Sequence, residues 1–120
     1  MKRPWVYIAG PMTLGDTLGH VRDAMEMFSV LWDWGFHPVC PHWSILQQLS
    51  HPMTHAQWIE YDLPIVAKCD AVYRLPGESK GADAEVAAAQ RLGIPVFCLP
   101  SRLRDYFRDR ITGGQSDLAS

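Results

Sequence analysis

The sequence predicts an α/β fold, a single domain whose mainly parallel sheet is doubly wound, with helices on both faces. Two observations carry this. Short β-rich apolar runs at 5–10, 36–40, 70–75 and 94–99 alternate with stretches of helical periodicity, the pattern of strand–helix–strand units. The chain has 120 residues, 48% of them apolar, which suits one domain with its own core.

The elements follow in order. "WVYIAG" stops at Gly-Pro and reads as a buried first strand. After a polar loop, Val21, Ala24, Met25, Phe28, Leu31 and Trp32 recur at three- and four-residue spacing, and Gly35 ends that helix. "FHPVC" is the second strand, with Pro38 marking an edge or a strand start. The stretch from Pro41 to Trp58 is the least regular and predicts a short helix or a lid. A helical pattern through Ile59, Leu63, Val66 and Ala67 is interrupted by Pro64, which predicts a kink or a helix beginning there. "DAVYRL" is the third strand, 82–93 a helix stopped by Gly93, and "IPVFCL" the fourth strand. A last helix, "SRLRDYFRDRI", precedes a tail, 112–120, expected to be disordered.

Composition narrows the function. The formal net charge is −2, which argues against a protein that grips nucleic-acid polymers through their phosphates. No run is long enough to cross a bilayer, and the N-terminal apolar stretch is too short and too proline-rich for a targeting signal. Cys40, Cys69 and Cys98 are widely spaced, odd in number, and each follows an apolar run. They read as buried reduced thiols of a soluble cytoplasmic protein.

In a sheet of this kind ligands bind beyond the carboxyl ends of the strands, which points to the loops 10–16, 41–55 and 76–81. The first, "GPMTLGD", offers Gly10, Pro11 and Met12 and backbone N–H groups for an anion, but is neither a Walker loop nor a dinucleotide fingerprint. The second carries His42, His51 and His55 with Trp43 and Trp58 nearby. Their spacing matches no zinc signature, so no metal is expected, and His42 and Trp43 are assigned to a wall against a flat ring. The third holds Ser79, a helix cap or a phosphate contact.

On a helical wheel of 82–93, Asp83, Ala87, Gln90 and Arg91 share a wet face. Glu85, Ala88, Ala89 and Leu92 share an apolar one. Asp83 therefore fits a solvated first-turn acid, whereas Glu85 leans toward the sheet. There the positive end of the helix dipole is expected to hold it ionised, as a base or nucleophile. Tyr7, in the first strand, is a core aromatic or a site hydroxyl. Asp62 is a cap beside Pro64 or a second acid.

"VYIAGPM", "YDLPIVAKCDAVYRL" and "SKGADAEVAAAQRLGIPVF", in this order and covering about residues 5 to 100, resemble the nucleoside 2-deoxyribosyltransferase-like superfamily. The nearest likeness is to its small members that begin "YIAGPM". The resemblance implies a Rossmann-like or flavodoxin-like sheet and an enzyme without cofactor or metal. It places Glu85 as the nucleophile that forms a glycosyl-enzyme ester, Tyr7 as the residue orienting that carboxylate, and Asp62 as the acid at the sugar or departing base. Such chemistry agrees with retaining cleavage by paired carboxylates.

Six residues before the nucleophile the resemblance distinguishes two branches. An Asp there grips the sugar 5'-hydroxyl of nucleosides, and a Ser accompanies nucleoside 5'-monophosphates. Ser79, followed by Gly81, implies the second branch, although the arginine usual in its first loop is missing from "GPMTLGD". The implied function is an N-glycosidase acting on a small-molecule nucleotide. The alternatives are base exchange between deoxynucleosides and an inactive nucleotide-binding module. The resemblance also implies a homodimer or higher oligomer, with "SRLRDYFRDRI" as a contact.

Overall fold

The computed structural model describes residues 2–12 and 15–111; the tail expected to be disordered, 112–120, lies outside the described residues. The strands are β1 (Trp5–Ala9), β2 (His37–Val39), β3 (Ala71–Arg74) and β4 (Val96–Phe97). All pairings are parallel, in the order β2-β1-β3-β4. The helices are α1 (Thr17–Asp33), α2 (Ile45–Ser50), α3 (His55–Ala67), α4 (Lys80–Arg91) and α5 (Pro100–Tyr106), with a 3-10 turn at Pro41–Ser44 before α2.

The alternation of β1 sets the two layers. Val6 and Ile8 face one side, with Ala24 and Leu31 of α1, Phe36, and Leu103 and Phe107 at the C-terminal end. Tyr7 and Ala9 face the other, with Val66 of α3 and Ala82 and Ala89 of α4. A strand sends successive side chains to opposite faces, so a run buried throughout, as Val6 to Ala9 is, requires helices on both sides. The predicted architecture is the one observed.

Several boundaries differ from the sequence reading. The α3 helix runs through Pro64 rather than starting at it. Its start is fixed earlier by a capping box, in which Thr54 Oγ1 accepts from the Gln57 N–H and Gln57 Oε1 accepts from the Thr54 N–H. Pro64 costs one helical hydrogen bond, but it lies on the exposed side, where water can serve the Glu60 carbonyl. The fourth strand is reduced to Val96–Phe97, because Pro95 has no N–H and Pro100 opens α5. Cys98 has therefore left the sheet and is exposed, not buried, while Cys69 is buried and Cys40 half-buried. Leu92 caps the C-terminus of α4 and is 59% exposed; it has rotated out of the apolar face assigned to it. In the segment "SRLRDYFRDRI", Leu103, Phe107 and Ile111 are buried in the core, while Tyr106 is exposed. No described helix is long and apolar enough to cross a membrane.

Candidate active site

The chain leaves β1 toward β2 on one side and reaches β3 on the other, so the connections diverge between β1 and β3. A crevice opens at such a point, at the carboxyl ends of the strands. A cavity of about 630 Å3 lies there, and segments 10–12, 41–53 and 78–82 all contribute to its wall, matching the three loops expected. Its volume is that of an ordinary small-molecule site.

Two glycines let the walls close. A Cβ at Gly10 would stand 2.9 Å from Leu75 Cβ, and one at Gly77, where φ is +114°, would stand 2.9 Å from Pro11 Cγ. The loops after β1 and β3 touch at these points, and only glycine combines that approach with a left-handed backbone at 77.

The floor brings together residues distant in sequence. The Tyr7 hydroxyl donates to Glu85 Oε2 at 2.6 Å across 78 positions. Tyr7 is fully buried and Glu85 is 5% exposed. Small residues make this possible: Ala82 and Ala89 pack α4 onto the sheet face that carries Tyr7, so the Glu85 side chain spans the gap. Asp62 projects from α3, half-buried and close enough to interact with both Glu85 and Tyr7. The three residues assigned to chemistry converge, and Glu85 and Asp62 line the cavity.

The electrostatics depart from the sequence reading. Burial pushes the Glu85 carboxyl up to about 8, and Asp62 adds to the rise, while the Tyr7 hydrogen bond and the charge of Arg74 oppose it. Burial also raises Asp62, against hydrogen bonds from Glu85 and Tyr7. Glu85 is thus not held ionised by the helix start. It sits in the second turn of α4, where the dipole has faded and desolvation wins. A buried and a half-buried carboxyl group side by side resist carrying two charges and titrate as a pair. Tyr7 stays a phenol, raised by burial first and then by the charges of Glu85 and Asp62, and can only donate to the pair.

Of the residues assigned to binding, Gly10, Pro11, Met12, His42, Ser79 and Gly81 line the cavity. Ser79 caps α4, its Oγ accepting from the Ala82 N–H at 3.1 Å, which leaves the hydroxyl hydrogen free to donate into the cavity. Lys80 and Glu78 flank it on the same rim. Asp16, at the end of the loop after β1, caps α1 by accepting from the Gly19 N–H at 3.0 Å. Asp83 is an exposed first-turn acid as read, with an added ion pair to Arg74 at 3.1 Å.

His42 is 2% exposed. Its Nε2 lies 3.0 Å from the Pro11 carbonyl, which can only accept, so the proton sits on Nε2. Burial lowers the imidazole and keeps it neutral, and Cys40 Sγ lies 3.8 Å from Nδ1. His42 ties the turn after β2 to the loop after β1. Trp43 does not belong to the wall. It is the next residue of a tight turn, so it points elsewhere, 60% exposed with its ring 6.0 Å from Phe28.

The aromatic of the wall is Trp58, one helical turn before Asp62 on α3, accompanied by His55, Ile59, Gln48 and Met53. His55, Trp58, Ile59 and Asp62 recur at helical spacing, a signal present in the sequence once the start of α3 is set by Thr54 and Gln57. His51 does not line the cavity.

No curated protein matches the sequence. Among solved structures, a 2-deoxyribosyltransferase from the psychrotolerant bacterium Bacillus psychrosaccharolyticus has the same fold. The TM-score is 0.53 at 22% identity, over 77% of this chain and 69% of that one. Residues 4–98 match the family described as a domain of unknown function, DUF4406. The chain therefore belongs to DUF4406 and has the fold of nucleoside 2-deoxyribosyltransferase-like proteins.

Proposed function

We propose that the protein is an N-glycosidase that cleaves the base from a nucleoside 5'-monophosphate through an ester on Glu85. The observation that carries this reading is the 2.6 Å hydrogen bond from the Tyr7 hydroxyl to Glu85 at the floor of the cavity, with Asp62 beside it.

One proton divides the labour of the pair. That proton rests mainly on Glu85, and Tyr7, by donating to Glu85, stabilises the reactive form in which the carboxylate is on Glu85 and the proton on Asp62. Glu85 then attacks the anomeric carbon. As the C–O bond forms, the C–N bond breaks, its electron pair goes to the base nitrogen, and the Asp62 proton passes to the base. Water attacks the same carbon in the second half, the ester bond breaks, Glu85 is released, and Asp62 recovers a proton.

The rim supports a 5'-phosphate. Ser79 and Lys80 line the cavity at the start of α4, and a helix N-terminus favours an anion. Glu78 on the same rim works against this charge. A second reading, base exchange between deoxynucleosides, is favoured by the activity named for the fold neighbour. It uses the same ester but a second base in place of water.

The test is incubation with nucleosides and their monophosphates, in ribo and deoxyribo forms, with and without an added free base. Chromatography follows the released base. Release from monophosphates into water is expected. Exchange into the added base with little hydrolysis supports the second reading. Full activity of Glu85→Gln would sink both.

A further inference from the structure

We infer that Gln48 selects the base of the substrate, presenting a hydrogen-bond donor that favours an oxo group and rejects an amino group. The inference rests on the glycosidic reading of the site above for its substrate, but its geometry is separate.

Gln48 Oε1 receives two hydrogen bonds, from Trp58 Nε1 at 2.6 Å and from the Met53 N–H at 3.0 Å. An indole N–H and a backbone N–H can only donate, so both must meet the oxygen. The amide orientation, which often has to be guessed from such a network, is forced here. The Nε2 group is left with two hydrogens to donate and nothing to accept with.

That group is open to solvent. No buried side-chain nitrogen or oxygen among the described residues lacks a partner, and the hydrogen bonds of Gln48 in the structure all use Oε1. Gln48 lines the cavity together with Trp58 and Met53.

The position fits the far edge of a base. Asp62, assigned to protonate the base at its glycosidic nitrogen, lies four residues after Trp58, about 6 Å along the helix. Trp58 offers a flat face beside Asp62, its indole N–H already committed to Gln48. A base lying on that face with its glycosidic nitrogen toward Asp62 directs its opposite edge toward Gln48. There uracil, thymine, hypoxanthine and guanine present an oxygen, whereas cytosine and adenine present an amino group. A donor facing an amino group leaves both unpaired, and that is the stronger source of discrimination.

The test compares pairs that differ only at this edge, the 5'-monophosphates of deoxyuridine against deoxycytidine and of deoxyinosine against deoxyadenosine. Release of base and equilibrium binding by calorimetry are both measured, for wild type and for Gln48→Glu and Gln48→Ala. Glutamate keeps an oxygen for Trp58 and Met53 but offers an acceptor to the base, and its charge affects every substrate alike, so the ratio within a pair is the readout. Wild type is expected to favour the oxo member at least about tenfold, Gln48→Ala to flatten the ratio and Gln48→Glu to reverse it. A ratio unchanged in both variants, with base still released, overturns the inference and leaves the glycosidase reading standing. Binding that follows the predicted ratios without base release upholds Gln48 and overturns the glycosidase reading. Failure of every nucleotide to bind overturns both.

Discussion

The two faces of the sheet are built from one strand and do opposite things. Toward α1 and α5 the strands present Val6, Ile8, Ala71 and Tyr73 against Leu31, Phe36, Leu103, Phe107 and Ile111. Large apolar side chains fill that layer, and Phe36 and Phe107 meet edge to face with ring centroids 5.7 Å apart, a favoured aromatic geometry. Toward α3 and α4 the partners of Tyr7, Ala9 and Val72 include Ala82 and Ala89. Small residues there bring α4 close enough for Glu85 to reach Tyr7. One face stabilises through apolar burial, while the other gives up part of it to hold Glu85 out of water beside a half-buried Asp62.

The sharpest way to break this comparison is Glu85→Gln. Loss of the proposed nucleophile is expected to reduce base release by about a thousandfold or more. The same variant should become more stable. The folded state holds the Glu85 proton up to about 8, against 4.5 for a free carboxyl. Its stabilising contribution is therefore complete below 4.5 and is lost as pH rises through 8. The amide of the variant has no proton to lose, so its gain in melting temperature over wild type should be largest above pH 8 and vanish below pH 4.5. A melting temperature that falls equally at all pH values would show that Glu85 is a packing residue.

Leu31→Ala probes the other face. Leu31 is fully buried, and its truncation is expected to cost about 2–5 kcal/mol in denaturant unfolding. Its effect on kcat should be negligible while the protein stays folded. A large kcat effect would mean that the two layers are not independent.

Tyr7→Phe keeps the ring and removes one donor. A loss of about tenfold in kcat is expected. Because the Tyr7 hydrogen bond holds Glu85 down, its removal should move the alkaline limb of the pH–rate profile upward. A lower limb, or none, would take the proton away from the carboxyl pair. The smallest effect is expected of Asp83→Asn. Its side chain is 70% exposed, so loss of the Arg74 pair should change stability by no more than about 1 kcal/mol, measured by thermal melting.

Much of this was legible in the sequence because it is periodic. The β1 run buries consecutive residues, which only a two-sided sheet allows. The turn residues mark the three loops that line the cavity, and the wheel of α4 separates Asp83 from Glu85. Where the reading failed, it lacked distances. His42 and Trp43 are neighbours, and nothing in their letters says that one turns in and the other out. Trp58 entered the wall in place of Trp43 because the capping box of Thr54 and Gln57 sets the phase of α3. That signal was present in the letters.

The sequence by itself therefore determined the alternation of elements, the loops that open at the strand ends and the face on which Glu85 lies, since each depends on local geometry that repeats every two or 3.6 residues. Only the tertiary structure decided that Tyr7, Asp62 and Glu85 meet, that burial outweighs the helix dipole at Glu85, and that two donors from separate positions orient the Gln48 amide. Those are matters of distance and of excluded water, and side chains far apart in the chain acquire both only when α3 and α4 pack on the sheet.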